Sequence, residues 1–308
     1  MIVVLSGGTG GAKLIEGLAA EIDPAELTII CNTGDDTVVH GLYVSPDIDT
    51  IVYTLAGMIN QATGWGIQDD SFTVLEQLRR LGSDTWFRLG DKDLATHLMR
   101  TRLLNEGQRL SAITEQMRRS LGVRAAILPM SDDRVETRLS TPQGELSFQE
   151  FFVKRRWSPD VSAIHFIGID ACQPAPGVLR AIEHADAIIL CPSNPVTSIG
   201  PILAVAGIRA ALAQSQVPIV GVSPIVGSTA ISGPAHKLMI AAGFDASAVG
   251  VAKCYADILD IFLVAREDGG MSEAIAALNI TCIATEICMS SRSDKRRLAR
   301  EVLDWTRK

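Results

Sequence analysis

The N-terminal stretch MIVVLSGGTGGAKLIEG, residues 1–17, decides the fold. An apolar strand pattern passes into an amphipathic helical pattern through a turn with four glycines in five positions. Glycine lets the backbone approach a phosphate closely, and a helix N-terminus presents free N–H groups. The stretch therefore predicts a phosphate-binding loop between a strand and a helix.

This loop matches neither of the two common nucleotide-binding motifs. The dinucleotide motif G-x-G-x-x-G begins at Gly8 and Gly10, but Lys13 stands where its last glycine belongs. The triphosphate loop needs G-K-[ST], and here Ala12 separates Gly11 from Lys13. A glycine turn with one cation remains, and we expect it to bind phosphate.

The composition of the 308 residues excludes several classes of protein. Hydrophobic residues make up 47% and charged residues 20%, which is typical of a folded domain with a large core. The net charge of -7 argues against nucleic acid as a partner. No apolar stretch reaches membrane-spanning length, no signal peptide precedes the first strand, and the six cysteines form no C-x-x-C pair. These features predict a cytoplasmic protein with reduced thiols.

Apolar runs alternate with helical segments along the chain. Runs within residues 26–36, 162–169, 186–195 and 217–227 each end in a polar or Gly/Pro loop. This alternation predicts an α/β fold with a Rossmann-like, doubly wound, mostly parallel sheet, and we expect one domain over residues 1–308. In such sheets, ligands bind beyond the carboxyl ends of the strands.

The pattern changes between residues 54 and 159. Residues 71–82, 93–107 and 110–122 have the apolar spacing of helices, and residues 135–152 predict a hairpin around Pro142 and Gly144. We therefore expect an inserted helical and hairpin elaboration within the α/β domain.

Four carboxylates follow the second predicted strand: Asp35, Asp36, Asp47 and Asp49. Clustered carboxylates repel one another unless a cation or protons neutralise them. Next to a phosphate-binding loop, they favour a divalent metal such as Mg²⁺. A nicotinamide site would use one acid here for the ribose, which leaves the second pair unexplained; turn-forming or capping aspartates are the remaining alternative.

Three further segments carry candidate polar groups. Arg88 precedes a glycine turn and the segment DKDLATH, in which His97 is as compatible with a structural as with a functional position. Two late loops follow predicted strands and have side chains and amides suited to a base or phosphates. Their candidates are Ser193, Asn194, Ser198, Ser223, Gly227, Ser228 and Lys237.

Taken in order, these segments resemble the 2-phospho-L-lactate transferase family. The similar motifs are SGGTGGAKL, NTGDD, SPDIDT, TGWGI, RLGDKDLATH, LPMSDD, PSNPVTSIGPIL and VSPIVG followed by SGPAHKLM, between residue 6 and about residue 239. The resemblance implies a Rossmann-like, Mg²⁺-using, dimeric phosphotransferase of coenzyme F-420 biosynthesis. It further implies transfer from a guanosine-diphospho-linked donor to the deazaflavin Fo, with GMP as the second product.

The resemblance also implies roles for single residues. Asp35 and Asp49 would bind the metal and act in catalysis, with Asp49 also beside Fo, and Arg88 would lie on the Fo side. Our hypothesis for the diphosphate adds the glycine loop and Lys13, and the late loops match the guanosine-diphosphate side. The full set of predicted substrate contacts is Gly7, Gly8, Thr9, Gly10, Gly11, Lys13, Asp49, Arg88, Ser193, Asn194, Ser223 and Gly227.

Two other functions remain open at this point. A nicotinamide oxidoreductase rests on the glycine loop alone. A non-catalytic regulator that binds nucleotide sugars rests on the related gluconeogenesis-factor branch, which is similar in fold and in the early glycines. The donor acyl group is also open, because no motif distinguishes phospholactate, phosphoenolpyruvate and phosphoglycerate.

Overall fold

The computed structural model describes residues 1–227, 229–230 and 233–307. In chain order its strands are β1 Ile2–Ser6, β2 Leu27–Cys31, β3 Thr37–Val39, β4 Leu42–Val44, β5 Ala126–Pro129, β6 Glu136–Thr141, β7 Gly144–Ser147, β8 Ala163–Ile167, β9 Ala187–Leu190, β10 Ile219–Val222, β11 Ile225–Val226, β12 Thr229–Ala230, β13 Ile261–Ala265 and β14 Thr281–Thr285.

The α-helices surround these strands. They are α1 Gly8–Ala19, α2 Pro46–Leu55, α3 Thr73–Arg80, α4 Asp91–Asn105, α5 Leu110–Ser120, α6 Val178–Glu183, α7 Gly200–Ala204, α8 Ile208–Ala213, α9 Ala235–Ala241, α10 Ala248–Cys254, α11 Ser272–Ala276 and α12 Arg292–Trp305. Short 3₁₀ turns at Pro24–Glu26, Ile169–Ala171 and Arg266–Met271 and π-helical turns at Glu150–Lys154 and Pro195–Ile199 complete the helical segments.

Seven of the described strands form a central sheet in the order β14-β13-β10-β9-β1-β2-β5, and every neighbouring pair is parallel. Side chains of β1 alternate between two cores: Val3 and Leu5 belong to one, and Val4 belongs to the other. A strand buried on both faces is the signature of a sheet with helices on both sides. The predicted doubly wound α/β fold is confirmed.

The order of the strands positions the functional loops. The chain passes from β1 outward through β2 to β5 and then returns to β9 on the other side of β1. The strand order therefore reverses between β1 and β9, and such a switch point opens a crevice at the carboxyl ends of the strands. The turn after Ser6 and the turn after Leu190 meet there.

Residues 54–159 contain the predicted helices and hairpin. Helices α3, α4 and α5 match the three predicted helical segments, and Thr141 pairs with Gly144 across the β6–β7 turn. The same range contains β5, the edge strand of the central sheet. The range therefore includes part of the core, and the idea of one inserted unit stays a prediction.

One predicted strand belongs to a different sheet. The apolar run at residues 162–169 was expected among the parallel strands, but β8 pairs antiparallel with β6 in a small sheet of order β7-β6-β8. None of its side chains is fully buried. A strand that is only partly covered suits an antiparallel sheet, because parallel strands are usually buried on both faces.

The contact between α1 and α12 yields a test of the packing. A Cβ added at Gly17 would lie 2.2 Å from the carbonyl oxygen of Lys295, which is backbone and yields little. We expect Gly17→Ala to lower the free energy of unfolding by about 1–3 kcal/mol in urea titration. A Cβ at Gly270 meets nothing within 4 Å. Gly270→Ala is thus the matched control, and equal losses in the two variants would contradict the close packing.

Candidate functional site

A cavity of about 430 Å³ lies at the carboxyl ends of β1 and β9. Residues from the turn after β1, the start of α2 and the Pro195–Ile199 turn line it. The other walls come from the segment before α4 and the Glu150–Lys154 turn. Its volume is typical of a site for a small molecule or cofactor.

The glycine loop forms one wall of this cavity. Gly7, Gly8, Thr9 and Gly10 line it, and Gly8 has a left-handed φ of 68°. A Cβ on Gly10 would lie 2.4 Å from the carbonyl oxygen of Pro192. The glycines thus let the loops after β1 and β9 approach each other closely.

Two members of the predicted phosphate set lie elsewhere. Gly11 is buried, and a Cβ there would lie 2.0 Å from Ser6 Oγ, so this glycine serves packing. Lys13 lies one helical turn further along α1 and lines a separate cavity of about 100 Å³ with Glu16 and Lys295. The structure therefore does not bring Lys13 into the main cavity.

Asp47 connects the glycine loop to the end of β2. Its Oδ1 accepts the N–H of Gly8 at 2.7 Å, and its Oδ2 accepts from Asn32 Nδ2 at 2.9 Å. Burial raises the pKa of Asp47 to about 6, against the effect of these two donors. A carboxylate facing the cavity at a helix N-terminus can accept a proton or share a cation.

Asp35 lies beside Asp47 and also lines the cavity. Burial raises the pKa of Asp35 well above its usual range, and the charge of Asp47 raises it further. The buried Oδ1 of Asp35 has no hydrogen-bond partner among the described residues. Gln149 Nε2 donates to the backbone carbonyl of Asp35 at 3.1 Å and holds the turn in place.

Asp49 faces away from this pair. Both of its oxygens accept from the guanidinium of Arg100, whose Nη1 lies 3.1 Å from Oδ2. His97 Nδ1 lies 3.8 Å from the same carboxylate, and Asp93 flanks His97 at 3.3 Å from Nε2. Arg100 is 1% exposed. The structure places the Asp49 carboxylate in a buried ion pair with Arg100, and its role as a metal ligand stays a prediction.

The geometry of α2 explains this difference. Successive helical residues turn by about 100°, so side chains two positions apart point in nearly opposite directions. Asp47 and Asp49 are both on the first turn of α2 and cannot face the same cavity. Asp36 is likewise turned aside and accepts from Ser45 Oγ at 2.5 Å.

The donor set can be compared with the needs of Mg²⁺. Within the described residues, no group of three or more His, Cys, Asp or Glu side chains is arranged around a common metal position. Mg²⁺ commonly uses only one or two carboxylates together with substrate phosphates. Asp35, with its unpartnered oxygen, and Asp47 fit that requirement.

The late loops contribute fewer residues than expected. Asn194 lines the cavity, and its side chain accepts the N–H groups of Val196 and Thr197. Thr197 and Ser198 also line the cavity. Ser193 instead donates to the carbonyl of Gly7 at 2.7 Å and ties the two loops together.

Three other late candidates, Ser223, Gly227 and Lys237, do not line the cavity. Ser223 is buried and exchanges hydrogen bonds with the backbone of Ile225. The N–H of Gly227 donates to the Asp268 carboxylate at 3.0 Å. Ser228 lies outside the described residues.

An aromatic wall lines the same cavity as the carboxylates and was not predicted from the sequence. Its members are Trp65, Trp86, Phe87, Phe148 and Phe152. The Phe148 and Phe152 rings are stacked, with centroids 5.5 Å apart and planes 11° apart. Arg88 lines the cavity as expected, and its guanidinium lies over the Phe72 ring, 4.4 Å from the centroid.

The structure thus defines an α/β protein with a glycine loop, paired carboxylates and an aromatic wall around one cavity. A family model described as 2-phospho-L-lactate transferase CofD matches residues 2–297, and the chain belongs to this family. It is therefore a transferase.

Curated relatives cover nearly the whole chain. A phosphoenolpyruvate transferase of Streptomyces griseus is 47% identical, over 98% of this chain and 97% of its own length. A 2-phospho-L-lactate transferase of Methanothermobacter thermautotrophicus is 44% identical over the same shares. One of the same name from Methanocaldococcus jannaschii is 41% identical over 99% and 98%.

A crystal structure of a UPF0052-family protein from Bacillus halodurans has the same fold. Its TM-score is 0.68 at 18% identity, and the match covers 98% of both chains. In the described part of our chain, every helix is too short or too polar to cross a lipid bilayer.

The buried pair of Asp49 and Arg100 gives a prediction about stability. We expect Asp49→Asn to cost about 3–5 kcal/mol of unfolding free energy, because it leaves a buried guanidinium uncompensated. Asp47→Asn removes a charge that burial already disfavours, so its cost is smaller. Urea titration of both variants measures the difference, and equal costs would contradict the assignment of Asp49 to a structural ion pair.

Proposed function

We propose that this chain transfers a phospholactyl or phosphoenolpyruvyl group, or the phosphoglyceryl counterpart, from a guanosine-diphospho-linked donor to the deazaflavin Fo, within coenzyme F-420 biosynthesis. The names of the relatives support the first two groups. Relatives with nearly equal identity to this chain are named after different transferred groups. Overall sequence similarity therefore does not indicate which donor this chain uses.

One juxtaposition carries this proposal: the glycine loop, the Asp35–Asp47 pair and an aromatic wall line the same cavity. Backbone N–H groups at a helix N-terminus suit the diphosphate of the donor. Flat aromatic side chains suit the tricyclic ring of the acceptor, because ring systems stack with favourable dispersion and quadrupole interactions. The cavity thus has one surface suited to the donor diphosphate and another suited to the ring of the acceptor.

The chemistry is phosphoryl transfer to an alcohol. A ribityl hydroxyl of Fo forms a new O–P bond at the phosphorus that bears the acyl group. The bond from that phosphorus to the bridging oxygen breaks, and GMP leaves with this oxygen. Alignment and charge neutralisation dominate the rate of such reactions.

The chain's own residues would supply the alignment. The glycine loop would hold the diphosphate, Arg88 and the aromatic wall would orient Fo, and the hydroxyl proton would pass to water. In our proposal Asp35 and Asp47 hold Mg²⁺, which when bound neutralises charge on the phosphate oxygens. The homodimer implied by the family resemblance and the cytoplasmic location stay predictions.

A calorimetric titration tests the metal assignment. We expect Mg²⁺ to bind in the presence of GDP, and Asp35→Asn or Asp47→Asn to weaken this binding by about tenfold or more, because each removes an anionic ligand. Asp36→Asn is the control, because Asp36 is bonded to Ser45 beside the cavity. Loss of Mg²⁺ binding in Asp49→Asn with retention in Asp47→Asn would restore the assignment made from the sequence.

One assay tests the function itself. Fo and Mg²⁺ are incubated with each of the three guanylated donors, and products are weighed by mass spectrometry. We expect a phosphodiester of Fo and an equal amount of GMP with at least one donor. Absence of a deazaflavin product with every donor, together with thermal stabilisation by UDP-sugars but by neither Fo nor GDP, would favour a nucleotide-sugar-binding regulator.

A further inference from the structure

The cavity wall contains a cation that the sequence analysis did not select. The charged side chains that line the cavity in the described chain are Asp35, Asp47, Arg88 and Arg156. Arg88 is engaged with the Phe72 ring. Arg156 is exposed and borders the same aromatic wall, directly after the Glu150–Lys154 turn.

The backbone at Arg156 is strained. Arg156 and Trp157 have φ angles of 49° and 46°, so two consecutive residues with large side chains are in the left-handed region. Each such residue costs about 1 kcal/mol or more, and this cost persists only where surrounding contacts fix the conformation. Strain of this kind concentrates at ligand-binding positions.

Lys237 supplies the contacts that fix this segment. Its Nζ donates to three successive backbone carbonyls, those of Trp157, Ser158 and Pro159, at 3.1, 3.1 and 2.8 Å. An ammonium group has three protons, so the whole donor capacity of Lys237 is spent on one turn. The N–H of Trp157 also bonds to the carbonyl of Phe151 at 2.9 Å. We call residues 156–160 together with Lys237 the lysine-clamped turn.

We propose that Arg156 binds an oxyanion of the donor substrate, and that the lysine-clamped turn positions it for this task. The guanidinium presents a planar fork that matches two oxygens of a phosphate or a carboxylate. The donor carries both: a diphosphate and the carboxylate of its acyl group. The identity of the donor rests on the proposed function; the capacity of Arg156 to bind an oxyanion does not.

The chain offers a matched control for the test. Arg155 precedes Arg156, is equally exposed and does not line the cavity. Asparagine tolerates the left-handed region better than most residues, so Arg156→Asn removes the charge without added backbone strain. Arg155→Asn removes the same charge one residue away. Thermal unfolding of both variants checks that the fold is retained.

Pyrophosphate with Mg²⁺ is the probe, because it requires no assumption about the reaction. In calorimetric titration at about 0.15 M salt, we expect Arg156→Asn to weaken pyrophosphate binding by about tenfold or more, and Arg155→Asn to change it by less than about twofold. Arg156→Lys retains the charge but loses the planar guanidinium, so we expect its loss of pyrophosphate affinity to lie between those of the two asparagine variants. No binding by the wild type, unchanged binding by Arg156→Asn, or equal losses in both variants would each overturn the inference.

Further titrations distinguish the two sources of the oxyanion. A selective loss with GDP assigns Arg156 to the diphosphate, and a selective loss with phosphoenolpyruvate assigns it to the acyl end. If pyrophosphate binding depends on Arg156 but no guanylated donor is turned over, the proposed function is wrong and the anion-binding role of Arg156 is confirmed. If a guanylated donor is turned over but pyrophosphate binding does not depend on Arg156, the proposed function is confirmed and the anion-binding role of Arg156 is wrong.

Lys237 tests the positioning part of the inference. We expect Lys237→Met to weaken pyrophosphate binding even though Lys237 does not line the cavity, and Lys237→Arg to restore most of it by donating to the same carbonyls. Wild-type affinity in Lys237→Met would overturn the positioning role of the lysine-clamped turn.

Discussion

The carboxylate of Asp47 holds the site together. It joins the N-terminus of α1, through Gly8, to the end of β2, through Asn32, and it is itself on the first turn of α2. Asn32 continues the connection to the Pro195–Ile199 turn by donating to the carbonyl of Thr197 at 3.3 Å. One buried acid that also lines the cavity therefore connects four segments that are distant in sequence.

A second layer of charge lies behind this acid. Arg100 compensates the charge of Asp49 within the protein, and burial raises the pKa of Asp36 well above its usual range, against the effect of the nearby Arg100. The remaining two, Asp35 and Asp47, line the cavity, and neither forms an ion pair within the described residues. This division leaves negative charge where a cation and a substrate can use it, and it keeps the rest of the cluster compatible with burial.

Local patterns predicted the fold and the glycine loop because a strand, a turn and a helix are encoded by neighbouring residues. The sequence assigned Asp49 to the metal, and this assignment stays a prediction: the motif contains both Asp47 and Asp49, and only the direction of α2 decides which of them faces the cavity. The position of Arg100 near Asp93 and His97 could have been predicted from the sequence, because positions 93, 97 and 100 lie on one face of a helix. No sequence pattern predicted the aromatic wall, because Trp65, Trp86 and Phe148 come from separate segments that only tertiary packing brings together.

The position of β1 in the sheet has a consequence for biosynthesis. This strand is made before β2, which covers one of its edges soon afterwards. Its other edge pairs with β9, which belongs to the last two-fifths of the chain. An unpaired strand edge invites association with other chains. In the nascent protein, the edge of β1 that pairs with β9 therefore stays unpaired until residues 187–190 leave the ribosome. We expect aggregation or chaperone binding to be greatest during this interval.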